Sequence, residues 1–488
     1  MNYYAFSSPG AAINADGLRT EEVWRGYAES GLNAMMLTGK NAYRGEGWEN
    51  SNTKKCFDIA KKVGIDKVIF DDMRLYDLID QYVADGLVGE NCRFSTEKAL
   101  DDFVRACMRE YIHEEAFYGL RLLDEPKYWH AKNYGLVYRS IKRVAKELGK
   151  GYVFIEMNLF PLIGGFNNFV PAEVKNLGAQ KAYEEYLDAF LRETGADTLS
   201  VDNYPFRPNY LGGRFLEGYF SCLQMQRKKC DEYGAKMAFV MATFEMTQDD
   251  PEGLAGYRRI ATVNEMFFHM NTALAFGTRD IEFYTYVTMA ISSKTSPFKS
   301  LDGSSFITSN GQKTAIYAFA KAAIEHAKRL EKAIETYDFK GANLYVDEKL
   351  YKIKTVGLKD NPEVLDCAAA QYLKSWPTVL PDGTVSTADF DNSYEMKEIE
   401  SLSFDRDVLL ATHLQKRGND PDMYAFVNVT DRTYKTELAP MRVRVKFKGN
   451  VRKALVLQEK DFEEVEIKDG VFETRLTLGE AAWVIPMK

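Results

Sequence analysis

The run Phe117-Tyr118-Gly119-Leu120-Arg121-Leu122-Leu123-Asp124-Glu125-Pro126 decides how the rest of the chain is read. A short apolar segment ends in two adjacent carboxylates, and a proline stops it. Ahead of Tyr128 this spells a buried strand, a tight turn and a new helix. Successive strand residues point to opposite faces, so Asp124 and Glu125 cannot share one environment. Acids at the exit of a buried strand need partners, because a desolvated carboxylate is costly. The plain alternative is a helix cap, with Asp124 or Glu125 accepting from the first amides of the next helix.

Outward from this run, strands and helices alternate. Upstream, the strands Tyr3–Ser8, Leu32–Leu37 and Asp66–Phe70 are separated by helical patterns through Trp24 and Tyr27, over Lys54–Val63 and over Thr96–Ile112. Downstream, strands are predicted at Tyr152–Asn158, Thr198–Tyr204, Met237–Phe244 and Ile281–Val287. A long helix, Thr314–Leu330, closes the series. Eight strand–helix units imply parallel strands with right-handed crossovers. At about 40 residues each, they fit a (β/α)8 barrel enlarged by loops over the usual ~250 residues. A doubly wound open sheet is the runner-up, but no Gly-x-Gly-x-x-Gly turn follows the first strands.

After residue 337 the pattern changes. Met441-Arg442-Val443-Arg444-Val445-Lys446-Phe447 alternates apolar and basic residues, as a half-buried antiparallel strand does. Lys468-Asp469-Gly470-Val471 reads as a hairpin turn between Val465–Ile467 and Phe472–Leu476. The fold predicted is a TIM barrel over 1–337 and an all-β sandwich over 338–488. The β-domain is expected to support the barrel or a homo-oligomer and to carry no chemistry.

Composition narrows the function classes. A net charge of -8 and the lack of a Lys/Arg-rich run argue against nucleic acid. No apolar run approaches the length of a membrane span, and the N-terminus lacks a signal-peptide pattern. The six cysteines form no Cys-x-x-Cys, so free thiols and a cytoplasmic location are expected. Five scattered histidines give no metal-ligand spacing, and neither a metal nor another cofactor is expected. The 29 Tyr and 5 Trp suit sugar binding, where a ring face stacks on C–H groups.

Active sites of such barrels gather at the C-terminal ends of the strands. Those ends carry Asp71 and Asp72, Asp124 and Glu125, Asn158, Asp202-Asn203-Tyr204, Thr243 and Glu245, and Tyr284 and Tyr286. Each has an ordinary explanation as a cap or a loop anchor. Four carboxylate-bearing exits on one rim are harder to dismiss, since converging like charges destabilise a fold. Paired acids without a metal cluster, a nucleotide loop or a Ser/His pair suit acid/base work on a neutral, polyhydroxylated substrate. Glycoside hydrolysis needs this equipment.

The run Gly119 to Pro126 resembles the fourth-strand end of clan A glycoside hydrolases. Their acid/base Glu follows a polar residue, commonly Asn, and often precedes Pro. Glu245, in Ala242-Thr243-Phe244-Glu245, falls where the clan's nucleophile ends the seventh strand. Asp302-Gly303 through Gly311-Gln312-Lys313-Thr314, before a long helix, is similar to β-galactosidase-like members. So is the C-terminal Leu478-Gly479-Glu480-Ala481-Ala482-Trp483. The resemblance implies a retaining glycosidase with a carbohydrate substrate, Glu125 as acid/base and Glu245 as nucleophile. It also implies that Asp72, Asp124, Asn158, Asp202 and Tyr204 hold hydroxyls, while Tyr284 and Tyr286 line the sugar ring or bond the nucleophile. Trp48 and Trp129 are candidate stacking platforms. Asp124 stands where the clan usually has Asn. Asp202, Glu156 and Glu282 are rivals for the second acid, and Asp202 in that role favours inversion. Two other classes stay open: a non-catalytic carbohydrate-binding barrel, and a Schiff-base lyase, for which no strand-end lysine is found.

Overall fold

Eight short apolar segments become the staves of a closed parallel barrel. The computed structural model describes residues 1–11, 16–163, 165–206, 218–244, 246–248, 256–257, 260, 262–288, 298–300, 305–346, 375, 378–406, 408–416, 421–430, 439–458 and 460–487. Among these, the barrel strands are β1 (Asn2–Ala5), β2 (Met35–Leu37), β3 (Val68–Asp71), β4 (Phe117–Arg121) and β5 (Phe154–Glu156, resumed at Asn158–Leu159). They continue with β6 (Thr198–Asp202), β7 (Lys236–Ala242) and β8 (Asp280–Tyr284). The helices of two turns or more between them are α1 (Glu21–Glu29), α2 (Asn52–Val63), α3 (Met73–Gln81), α4 (Glu97–Met108) and α5 (Ala131–Glu147). After β5 come α6 (Ala179–Thr194), α7 (Tyr219–Tyr233), α8 (Val263–Ala275) and α9 (Ala315–Thr336). Caps mark where they start and stop. Ser51 accepts from the Lys54 amide at the start of α2, and Gly64, at φ 80, ends it.

Neighbouring strands pair in parallel around the ring. Asp71 lies opposite Arg121, Arg121 opposite Glu156, Asn158 opposite Ser200 and Asp202 opposite Val240. Ala242 lies opposite Tyr284, and Glu282 opposite Tyr4. Between β1 and β2 the Asn33 and Ala34 amides donate to the Tyr3 carbonyl at 2.9 and 3.2 Å. Because strand side chains alternate, this register gathers one set of residues inside the ring. The lumen floor is apolar: Ala34, Met36, Ile69 and Phe154 pack with Tyr4, beside Phe6 and Tyr118. Gly119 is part of that fit, since a Cβ there would strike the Phe154 carbonyl. One strand pitch higher the lumen turns acidic, and the acids lie at the strands' C-terminal ends.

The helix α9 ends at Thr336, and antiparallel structure begins with Tyr337–Val346. That strand opens a six-stranded sheet with Val408–Lys416, Met423–Asn428, Ala481–Met487, Lys453–Leu457 and Glu463–Glu466. A three-stranded sheet of Ile399–Phe404, Met441–Phe447 and Val471–Leu476 faces it. Met441, Val443, Val445 and Phe447 pack on Leu409, Ala411, Tyr424 and Phe426, while Arg442 and Arg444 stay exposed. The chain is thus an α/β barrel followed by an antiparallel β-sandwich. The predicted hairpin at Asp469-Gly470 differs. Both residues have positive φ, 53 and 73, but the flanking strands enter opposite sheets. The turn crosses the sandwich and does not fold one sheet back on itself.

The sandwich docks on α8. The Asn271 side chain donates to the Gly479 carbonyl at 2.9 Å, and a Cβ at Gly479 would strike the Asn264 carbonyl. Among the described residues no helix is long and apolar enough to cross a membrane.

Candidate active site

Where β4 ends, the chain turns through Asp124 and through Glu125, whose φ is 43, into Pro126. The Glu125 amide donates to the Asn158 carbonyl at 3.1 Å, and the Tyr186 hydroxyl donates to the Pro126 carbonyl at 2.5 Å. These bonds tie the turn to the end of β5 and to α6. Neither acid caps the helix that follows, for α5 takes His130 as its N-cap residue. Asp124 instead forms an ion pair with Arg121 Nη1 at 3.0 Å and accepts from the Asn158 amide at 3.1 Å.

Arg121 is the cation at the centre of the group. Its Nε and Nη2 donate to the two oxygens of Asp71 at 2.8 and 3.0 Å, and its guanidinium lies 4.7 Å from the Phe6 ring centre. Such a fork-to-fork pair fixes both side chains. Glu156 follows on β5, opposite Arg121 in register, and Glu282 stands on β8. Both are buried, and neither Glu156 oxygen has a hydrogen-bond partner. Burial raises Asp71 above the usual carboxylate range, although Arg121 pulls it down. Glu156, with no bond to offset its burial, is pushed up to about 8. Burial and the neighbouring Glu156 carry Glu282 well above its ordinary value.

Glu125 and Asp202 meet at the ends of β4 and β6. Burial and the negative charges of Asp202 and Asp124 raise Glu125 well above its ordinary value. The two carboxyls lie against each other, and their contact raises Glu125 while lowering Asp202. Asp202 is pushed up to about 7 by burial and by Asp124, against the bonds it accepts from Glu125 and Tyr204. The Asn158 amide reaches Asp202 as well, at 3.4 Å, and so bridges Asp124 and Asp202. A protonated carboxyl beside an ionised one can deliver a proton to a ligand oxygen at neutral pH.

The structure thus brings together Glu125, Asp124, Asn158 and Asp202. Tyr204 and Tyr284 join them, their ring centres 6.1 Å apart, and Phe244 stands edge-on to both at 5.1 and 5.0 Å. Other predicted residues lie elsewhere. Asp72 faces the helices: it caps α3, bonds Arg74 at 2.7 Å and accepts from Tyr111 at 3.0 Å. Trp48 packs among Tyr43, Phe57, Phe70 and Tyr111, and its indole N–H donates to Glu114 at 2.7 Å. Tyr286 is buried against Tyr27 and Phe306, away from the acids. Trp129, 42% exposed, lies on the turn that leads from Pro126 to α5. Thr243 is buried and donates to the Thr285 carbonyl. Glu245 lies outside the described residues. Arg121 is the participant the sequence reading passed over. Its signal was an arginine inside an otherwise apolar strand, where only a buried acid makes it tolerable.

A cavity of about 890 Å³ opens at the other end of the barrel, among Asn2, Lys67, Thr198, Lys236 and Asp280. Arg227 pairs there with Asp231 at 2.6 Å, and Lys67 donates to Asn2 Oδ1 at 2.9 Å. The strand ends that carry orphaned acids are the better candidate. Among the described residues no three His, Cys, Asp or Glu side chains are grouped to hold a metal ion.

No protein-family model matches the sequence, and no curated protein does. Solved structures do. A family 5 glycoside hydrolase from Bacteroides vulgatus is similar at a TM-score of 0.51 and 11% identity, over 99% of this chain and 89% of that one. Looser likenesses are a glycoside hydrolase at 0.49 and 10%, over 100% and 92%, and a Thermotoga petrophila endo-β-1,4-mannanase at 0.38 and 12%, over 98% and 97%. The first of these, at 11% identity, speaks for the fold alone.

Proposed function

We propose that the chain is a glycoside hydrolase acting on a small glycoside or oligosaccharide, β-galactoside-like by its sequence resemblance. The observation that carries this reading is the set of carboxyls gathered at the strand ends, Glu125 against Asp202 with Asn158 bridging Asp124 and Asp202. Glu125 gives its proton to the glycosidic oxygen as the bond to the anomeric carbon breaks. The Glu245 carboxylate attacks that carbon from the other face and forms a glycosyl ester. Glu125, now ionised, takes a proton from water, and the water oxygen displaces Glu245 with net retention. Asp124, Asn158, Tyr204 and Tyr284 hold and flank the sugar.

Asp202 fits a different role from that of second catalytic acid. A water-activating partner stands roughly 6.5–9.5 Å from the acid, whereas Asp202 is hydrogen-bonded to Glu125. In this reading Asp202 keeps the proton on Glu125.

The test uses leaving groups. Dinitrophenolate leaves without a proton, so Glu125→Ala should keep the first step on a dinitrophenyl glycoside and lose it on an alkyl glycoside. Added azide should restore turnover and give a glycosyl azide of unchanged anomeric configuration. Glu245→Ala should fail on both substrates. Full activity of Glu125→Ala on the alkyl glycoside would end this reading.

A further inference from the structure

The polar atoms left over in the lumen around Glu125 and Asp202 are acceptors, apart from the Tyr4 hydroxyl deeper down. Arg121 directs Nε and Nη2 to Asp71 and Nη1 to Asp124. Asn158 directs its amide nitrogen to Asp124 and Asp202, and its Oδ1 has no partner at 8% residue exposure. Both oxygens of buried Glu156 also lack one. Asp124, at 32% side-chain exposure, can only accept while ionised. Six carboxyls (Asp71, Asp124, Glu125, Glu156, Asp202 and Glu282) therefore share one lumen. Among the described residues Arg121 is the one cation bonded to any of them, and Arg44 acts on Asp71 only at a distance. Even with Glu125, Glu156, Glu282 and Asp202 all protonated, Asp71 and Asp124 outnumber Arg121.

A ligand entering here must bring donors. A hydroxyl brings one donor and carries acceptors that find few partners. An ammonium brings three donors, no acceptor and a charge that offsets the excess. A ligand carboxylate brings only acceptors and meets repulsion. We propose that the glycoside taken by this site is an amino sugar with a free amine, and that acidic sugars are refused. The proposal rests on the glycosidase reading and adds the substrate class.

The experiment measures kcat/KM of the full chain on nitrophenyl glycosides at pH 6. The galacto and gluco series each contain the parent β-glycoside, the 2-amino-2-deoxy sugar, its N-acetyl derivative and the uronide. In whichever series is cleaved, the free amine should exceed the parent by about tenfold or more, the equivalent of one charge-assisted hydrogen bond. N-acetylation, which removes the charge, should abolish that advantage, and the uronide should be slowest. Added salt should narrow the ratio. A parent glycoside as fast as its amine, or a uronide faster than the parent, overturns the proposal and leaves the glycosidase reading standing. No cleavage of any member overturns both.

Discussion

The lumen side and the helix side of β3 hold equally buried acids under opposite conditions. Asp71 is 3% exposed and Asp72 1%. On the helix side, Asp72 meets a helix start, an arginine and a tyrosine hydroxyl, so each oxygen is used. On the lumen side one arginine serves several carboxyls, and Glu156 is left with nothing. Burial alone does not separate a structural acid from a working one; the supply of partners does. A group kept short of partners holds its proton tightly and can give it to a ligand.

The sharpest way to break this comparison is at Glu125. Glu125→Gln should lower kcat/KM on an unactivated glycoside by about 10²–10⁴-fold, whereas Asp72→Ala should leave it within about twofold. Equal losses in both variants would show that the two sides do not differ in role. Next in size is Arg121→Met, which strands Asp71 as an uncompensated buried carboxylate. Urea unfolding should report a loss of about 3–5 kcal/mol, and a loss no larger than a surface mutant's would deny Arg121 its central place.

The third test is a pH series. Glu156 is raised to about 8 in the folded chain, above its unfolded value. It therefore contributes stability that is fully present below the unfolded pKa and lost as pH rises through the folded one. Between about pH 5 and 8 the unfolding free energy of the wild type should fall relative to Glu156→Gln, by up to about 1.4 kcal/mol per pH unit. Parallel curves for the two proteins would mean that Glu156 is not held protonated. The smallest effect is expected at Asp72. Its replacement by Ala should cost about 1–2 kcal/mol as a lost cap, with a flat pH dependence of activity relative to wild type.

Much of this division was legible in the sequence. Eight alternations fixed the barrel order, and the change to period-two patterning marked the sandwich. Glu125, Asp124, Asn158 and Asp202, which the structure brings together, were grouped in the sequence because strand ends share one rim. Asp72 was misgrouped by its position next to Asp71, although adjacent strand residues face opposite ways. Tyr286 failed for a related reason: β8 stops at Tyr284, and alternation does not extend past a strand's end. Trp48 fills a gap between loop and helices, a matter of tertiary packing that no local pattern announces. Arg121 was hidden inside an apolar run, and its meaning depends on a register with β3 and β5 that only the folded sheet supplies.

The left-handed backbone at Glu125 has a consequence of another sort. A side chain at φ 43 carries a cost of about 1 kcal/mol that glycine does not. A library of this chain selected for heat resistance alone would be drawn toward glycine at 125, the exchange that discards the proposed proton donor. Directed evolution of a sturdier protein would therefore need selection on turnover as well as survival.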